Sequence, residues 1–232
     1  MQQIENLYSV FEKYTINGIH HCDCGCIDEK DVKKLHSKQL RELIEDDLVS
    51  YHGSALYTWG EIEHYKHFLP RICELITKNR QYSFVDLGEI YLKLEHSDWQ
   101  NWSETEINAI KEYVIFDWIE LVNNSNSEIS ISVLENYSKY IDVSELIENW
   151  NLINLQNGLR NFVYFFYFNG TEIMNRGIKI NETKYINEFD TLLNTENLIS
   201  KLEFEFFDKE ITDIEYAEKI SIVMQMIEQN LK

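Results

Sequence analysis

Apolar residues recur along this chain at the spacing of helices rather than strands. Behind Ser103, the residues Ile107, Ile110, Val114, Trp118 and Leu121 stand three or four positions apart, and behind Thr212 so do Ile214, Ala217, Ile220, Met224, Ile227 and Leu231. That period gathers an apolar stripe onto one face of a helix. Four such stretches open on Ser or Thr with Glu three residues later, the pair that can cap a helix reciprocally: Thr58/Glu61, Ser103/Glu106, Ser132/Glu135 and Thr212/Glu215. Weaker patterns predict helices over residues 28–36, 45–57, 84–95, 143–168 with a break, 182–193 and 196–207. Pro70 stands between two helical stretches, and its ring disfavours helical geometry at Leu69, so a kink or break is expected there.

Strand signals are few. Residues 127–132 alternate briefly, and the aromatic run over 162–168 reads as a buried strand or as the core of a helix. With short connections between them, helices should pack as antiparallel neighbours. The expected fold class is therefore all-α, an irregular multi-helix bundle or a short helical-hairpin stack, in a single domain over residues 1–232. The eight glycines are scattered and no Pro- or Ser-rich linker divides the chain.

Composition narrows the functional classes. At 44% hydrophobic and 13% aromatic residues, the chain can bury a large core. The apolar run over 162–168 falls far short of the roughly 20 residues needed to span a bilayer. The first residues lack a basic stretch followed by an apolar one, so no signal peptide is expected and the expected location is cytoplasmic. The formal charge of −19 is uneven: residues 1–80 hold 10 Lys/Arg against 13 Asp/Glu, leaving 11 against 27, a net −16, for residues 81–232. Such a surface repels nucleic acid and anionic membrane and favours encounter with a basic protein.

The densest chemistry is His20-His21-Cys22-Asp23-Cys24-Gly25-Cys26. Clustered thiols and imidazoles suit a soft metal such as zinc, with His21, Cys22, Cys24 and Cys26 as the candidate ligands. The one-residue gaps differ from the paired two-to-four-residue spacing of structural zinc sites. A redox thiol cluster and a ligand-free loop remain open alternatives, and His36, His52 or Cys73 could complete a site. Glu61, His64 and His67 share one helical face, but a carboxylate-bridged di-iron site needs a second Glu-x-x-His, which the chain lacks. No nucleophile elbow, phosphate-binding loop or His-Glu-x-x-His occurs, so the reading leans away from an enzyme.

The residues Leu40-Arg-Glu-Leu43, Asp47-Leu48 with Tyr51, Thr58-Trp59-Gly60 and Phe68-Leu69-Pro70-Arg71, preceded by the cysteine-rich segment, resemble an uncharacterised family of bacterial proteins. The resemblance covers residues 20–76 and implies a bacterial origin and a shared architecture; it implies no chemistry. In this region Trp59, Glu61, His64, His67 and Arg71 could line a groove at the expected kink. The leading functional expectation is a non-catalytic, acidic interaction module that binds a basic partner, as an immunity protein or adaptor would. The alternative is a zinc scaffold or metal-dependent enzyme built on the segment from His20 to Cys26.

Overall fold

Ser103 and Glu106 cap one another as their spacing predicts: the Ser103 amide donates to the Glu106 carboxylate at 3.1 Å, and the Glu106 amide to the Ser103 hydroxyl at 3.4 Å. They open α6 (Glu104–Ile119), one of twelve α-helices in the computed structural model, which describes residues 2–80, 83–185 and 187–230. The fold is all-α among the described residues apart from one two-stranded hairpin. The chain forms two compact units, residues 1–113 and 114–232.

The first unit holds α1 (Gln2–Phe11), α2 (Glu29–His36), α3 (Glu45–Ser54), α4 (Ile62–Lys78), α5 (Leu87–His96) and the first part of α6. Its core gathers Tyr51, Trp59, Tyr65, Phe68, Leu69 and Ile72, none more than 1% exposed. The Tyr51 ring meets Phe68 at 4.5 Å and Trp59 at 5.4 Å between centroids. The expected break at Leu69/Pro70 does not occur, because α4 runs through Pro70 without interruption. Both residues are buried, and the packing of Phe68, Leu69 and Ile72 outweighs the one backbone hydrogen bond that proline removes.

Buried charge organises the same unit. Glu106 is 2% exposed and accepts hydrogen bonds from the Tyr14 hydroxyl, from Lys66 Nζ at 3.1 Å and from Lys13 Nζ at 3.1 Å. Burial alone would raise its pKa; the bonds from Tyr14, Lys13, Lys66 and Ser103 reverse that and bring it down to about 2. Glu74 on α4, held by Lys78, Tyr8 and Arg71 against the same burial penalty, is also brought down to about 2.

The second unit holds the end of α6 with α7 (Ile131–Ser138), α8 (Val143–Glu148), α9 (Gln156–Arg176), α10 (Asp190–Leu193), α11 (Leu198–Lys209) and α12 (Ile214–Asn230). The aromatic run over 162–168 is helical, inside α9, with Phe162, Val163, Phe165 and Phe166 buried. Trp150 packs between Trp118 at 5.9 Å and Phe165 at 5.6 Å. At Gly158 of α9 a Cβ would fall 2.0 Å from the Asn151 carbonyl oxygen, so only glycine allows that approach.

Two expectations are corrected here. Residues 127–132 form no strand: Ser130, not Ser132, caps α7, its side chain accepting from the Val133 amide at 3.3 Å. Part of the helix expected over 182–193 is instead a hairpin of β1 (Ile178–Ile180) and β2 (Thr183–Tyr185), paired antiparallel with Ile180 opposite Thr183. Asn181 and Glu182 both take positive φ, 45° and 67°, the backbone of a tight two-residue hairpin turn. Ile186, within that expected helix, and Leu231, read as the last apolar position of α12, lie outside the described residues.

Because Glu106 has a folded pKa of about 2 against an ordinary 4.5, its contribution is complete above pH 4.5 and fades as pH falls toward 2. Glu106→Gln should therefore destabilise the protein by about 3 kcal/mol at neutral pH in urea denaturation, with Lys66 left without its buried anion. The difference from wild type should shrink as the pH is lowered through that window.

Candidate metal centre

The cysteine-rich segment does not hang free. The Cys22 amide donates to the Thr58 carbonyl at 2.9 Å and the Gly60 amide to the His20 carbonyl at 2.8 Å, so residues 20–22 pair antiparallel with 58–60 around His21 and Trp59. Each part of Thr58-Trp59-Gly60 has a task in this docking. Thr58 supplies its carbonyl, Trp59 buries its indole against Tyr51, and Gly60 takes a φ of +71°. A Cβ at Gly60 would also press on His64 Cβ at 3.2 Å and Ile19 Cγ1 at 3.3 Å.

Beyond this pairing the chain turns back on itself. Gly25, with φ of +76° and open space around it, reverses the backbone so that Cys26 curls toward Cys22. The three sulfurs of Cys22, Cys24 and Cys26 lie within 4.8 Å of one another. Cys22 and Cys24 are paired as a disulfide, and the exposed Cys26 thiol is 3.0 Å from the Cys22 sulfur. This group could hold a metal ion once all three are thiolates, since a tetrahedral zinc–thiolate site, with Zn–S near 2.3 Å, sets its sulfurs roughly 3.8 Å apart. A disulfide sulfur has no such charge, so the pair and the ion are alternative states of the same atoms.

His21, the fourth expected ligand, is not part of the three-sulfur group. Its ring stands edge-on to Trp59 at 6.3 Å, with Nδ1 3.2 Å from the Cys22 carbonyl oxygen. His20 faces the first turn of α4, its Nε2 3.4 Å from Glu61 Oε1. Of the more distant candidates, Cys73 is buried within α4 and His52 within α3.

The residues expected to line a groove have other work. Trp59 and Arg71 are buried, and Arg71 donates to the Leu43 carbonyl and to Glu74. Glu61, rather than Thr58, is the N-cap of α4, and its amide donates to His64 Nδ1 at 2.9 Å. That bond fixes the His64 tautomer: Nε2 carries the proton and donates to the Asn17 carbonyl. His67 donates from Nδ1 to the Tyr14 carbonyl at 2.8 Å, and burial holds its pKa below the ordinary imidazole value against that bond. With Pro70 it borders a groove of about 500 Å³ whose walls include Tyr8, Phe11, Glu12 and Arg41.

The crowding of thiols and imidazoles pointed to the cysteines, while their support was missed. Nothing in the pattern ties Cys22 to Thr58, although the glycine after Trp59 was the available signal. Compared with protein-family models, with curated proteins and with solved structures, the chain gives no significant match. Among the described residues, no helix is long and apolar enough to cross a membrane.

His52 shows how differently a buried imidazole behaves. It is 5% exposed, and neither ring nitrogen has a hydrogen-bond partner. Burial, helped by the nearby Lys93 charge, brings its pKa down from 6.5 to about 4. The unfolded chain thus takes up a proton that the folded one refuses, so stability is lost as pH falls from 6.5 toward 4. His52→Phe should remove that loss, on the order of 3 kcal/mol, from urea midpoints compared at neutral and mildly acid pH. A variant that keeps the wild-type dependence would show that His52 does not carry it.

Proposed function

We propose that this protein binds one thiophilic metal ion, zinc, at Cys22, Cys24 and Cys26, and that the ion serves as a structural staple for the first unit. The observation that carries the reading is the convergence of the three sulfurs within 4.8 Å on a loop whose backbone is already fixed to residues 58–60. A general acidity, by contrast, singles out no site. Zinc suits the donor set because thiolates are soft ligands and a cysteine-rich site needs no further charge. Three protein thiolates leave the fourth coordination position to water or to a group from outside the chain.

The staple would close the loop around Gly25 and hold it on Trp59. Its strength depends on the oxidation state, because only the reduced Cys22 and Cys24 can ligate. Two electrons and two protons convert the disulfide to the dithiol, and a dithiol reductant such as dithiothreitol supplies both while closing to its own cyclic disulfide.

Protein purified under reducing conditions, without chelator or nickel affinity resin, should contain about one zinc per chain by elemental analysis. Serine at Cys22, Cys24 and Cys26 together should abolish that content, and cobalt in place of zinc should give thiolate charge-transfer absorption. Chelation should lower the melting temperature by roughly 5 °C. Reduced protein that holds no stoichiometric metal, and takes up none of added zinc or cobalt, would overturn the reading.

A further inference from the structure

The hairpin of α11 and α12 exposes large apolar side chains that a folded chain ordinarily covers. Phe204 is 68% exposed, Phe207 67%, Ile211 83% and Ile214 60%, all within eleven residues of sequence. Phe204 and Phe207 share one face of α11, three positions apart. Beside them a groove of about 260 Å³ opens between the two helices, with Phe206, Phe207 and Met224 along it and Glu203 and Glu228 at its edges. Exposed large apolar side chains beside an apolar groove with polar residues in its wall mark a place where another molecule sits.

The charge around this surface identifies the occupant. Residues 198–230 carry eight Asp/Glu against three Lys. Lys209 is paired with Asp208 at 2.6 Å and Lys219 with Glu215 at 2.7 Å, so two of those lysines are already engaged within the hairpin. Glu203, Glu210, Glu218 and Glu228 are exposed. An anionic lipid surface or a nucleic acid is repelled by such a rim. A second copy of the chain would bring the same acidic rim against itself, and like charges across an interface oppose pairing.

We propose that the α11–α12 face is the docking site for a basic amphipathic helix of a partner protein. The apolar face of that helix would lie along Phe204, Phe207 and the groove beside Met224, with anchors three and four residues apart, while its lysines and arginines meet Glu203, Glu210 and Glu228. The proposal concerns the second unit alone and stands independently of the metal site.

The probe is a fluorescein-labelled peptide of about 18 residues, leucine and lysine only, with leucine at helical spacing. A permuted peptide of the same composition, with no apolar face, is the control. Fluorescence anisotropy with the full chain should give binding for the amphipathic peptide at least about tenfold tighter than for the permuted one. Phe207→Ser and Phe204→Ser, at exposed positions where circular dichroism should show an unchanged fold, should each weaken binding by about tenfold. Glu203→Gln with Glu228→Gln should weaken it further, and raising salt from about 50 to about 300 mM should weaken it at least about threefold.

Equal affinity for the two peptides, or serine variants that bind like wild type, would overturn the proposal by reducing the effect to general acidity. No binding of the amphipathic peptide would overturn it directly. Sedimentation showing a dimer that dissociates in Phe207→Ser would assign the face to a second copy and overturn it as well.

Discussion

Helix α4 has to bury three charged side chains, and the first unit is arranged around that demand. Lys66, Arg71 and Glu74 are each no more than 8% exposed, and an unpaired charge at such depth would cost several kcal/mol. Each therefore needs a partner, most of them from elsewhere in the chain. Lys66 reaches Glu106 of α6, Glu74 takes the Tyr8 hydroxyl of α1, and Arg71 donates to the Leu43 carbonyl ahead of α3. These bonds are directional, so they orient α1, α6 and the 40–43 turn about one axis in a way that apolar contact alone does not. The start of α4 is fixed by the same arrangement, and the cysteine loop is attached there.

How much of this could be read from the residues depended on how local the physics was. Helix class followed from apolar spacing, and the Ser103/Glu106 cap was correct because both partners lie within one turn. The other three caps were displaced. Glu61, Ser130 and Asp213 take up those helix starts, each with an acceptor, a carbonyl or a partnered amide placed by its neighbours. The β1–β2 hairpin was hidden because Asn181-Glu182 is a weak turn signal without glycine, set among apolar residues that also suit a helix. Pro70 misled for the opposite reason, since a strong local rule yielded to burial on both sides of it.

The cysteine site was half legible. Residue type pointed to a metal and spacing pointed away, because the familiar rule describes two knuckles with ligands two to four residues apart. A single loop with a left-handed glycine solves the problem differently: a turn at residues 23 and 24 brings the Cα atoms of Cys22 and Cys24 to 5.4 Å, and Gly25 turns the chain so that Cys26 comes back to Cys22. The support from Thr58 and Gly60 comes from nearly forty residues away and has no periodic signature. The two proposed sites accordingly differ in kind, one a fixed cluster of soft donors in the first unit and the other a broad acidic and apolar face in the second.

The loop is tethered through main-chain atoms, Cys22 N to Thr58 O and Gly60 N to His20 O. Peptide groups are common to every residue, so this tether places no demand on the side chains at 20, 23 or 58 beyond fitting the space. Over evolutionary drift those positions are free to vary in charge and size while the loop keeps its place. The selective burden falls instead on Gly25 and Gly60, where left-handed geometry admits few substitutes, and on the bulk of Trp59, buried between His21 and Tyr51. A lineage could thus retune what the three sulfurs meet at the surface without refolding the support that presents them.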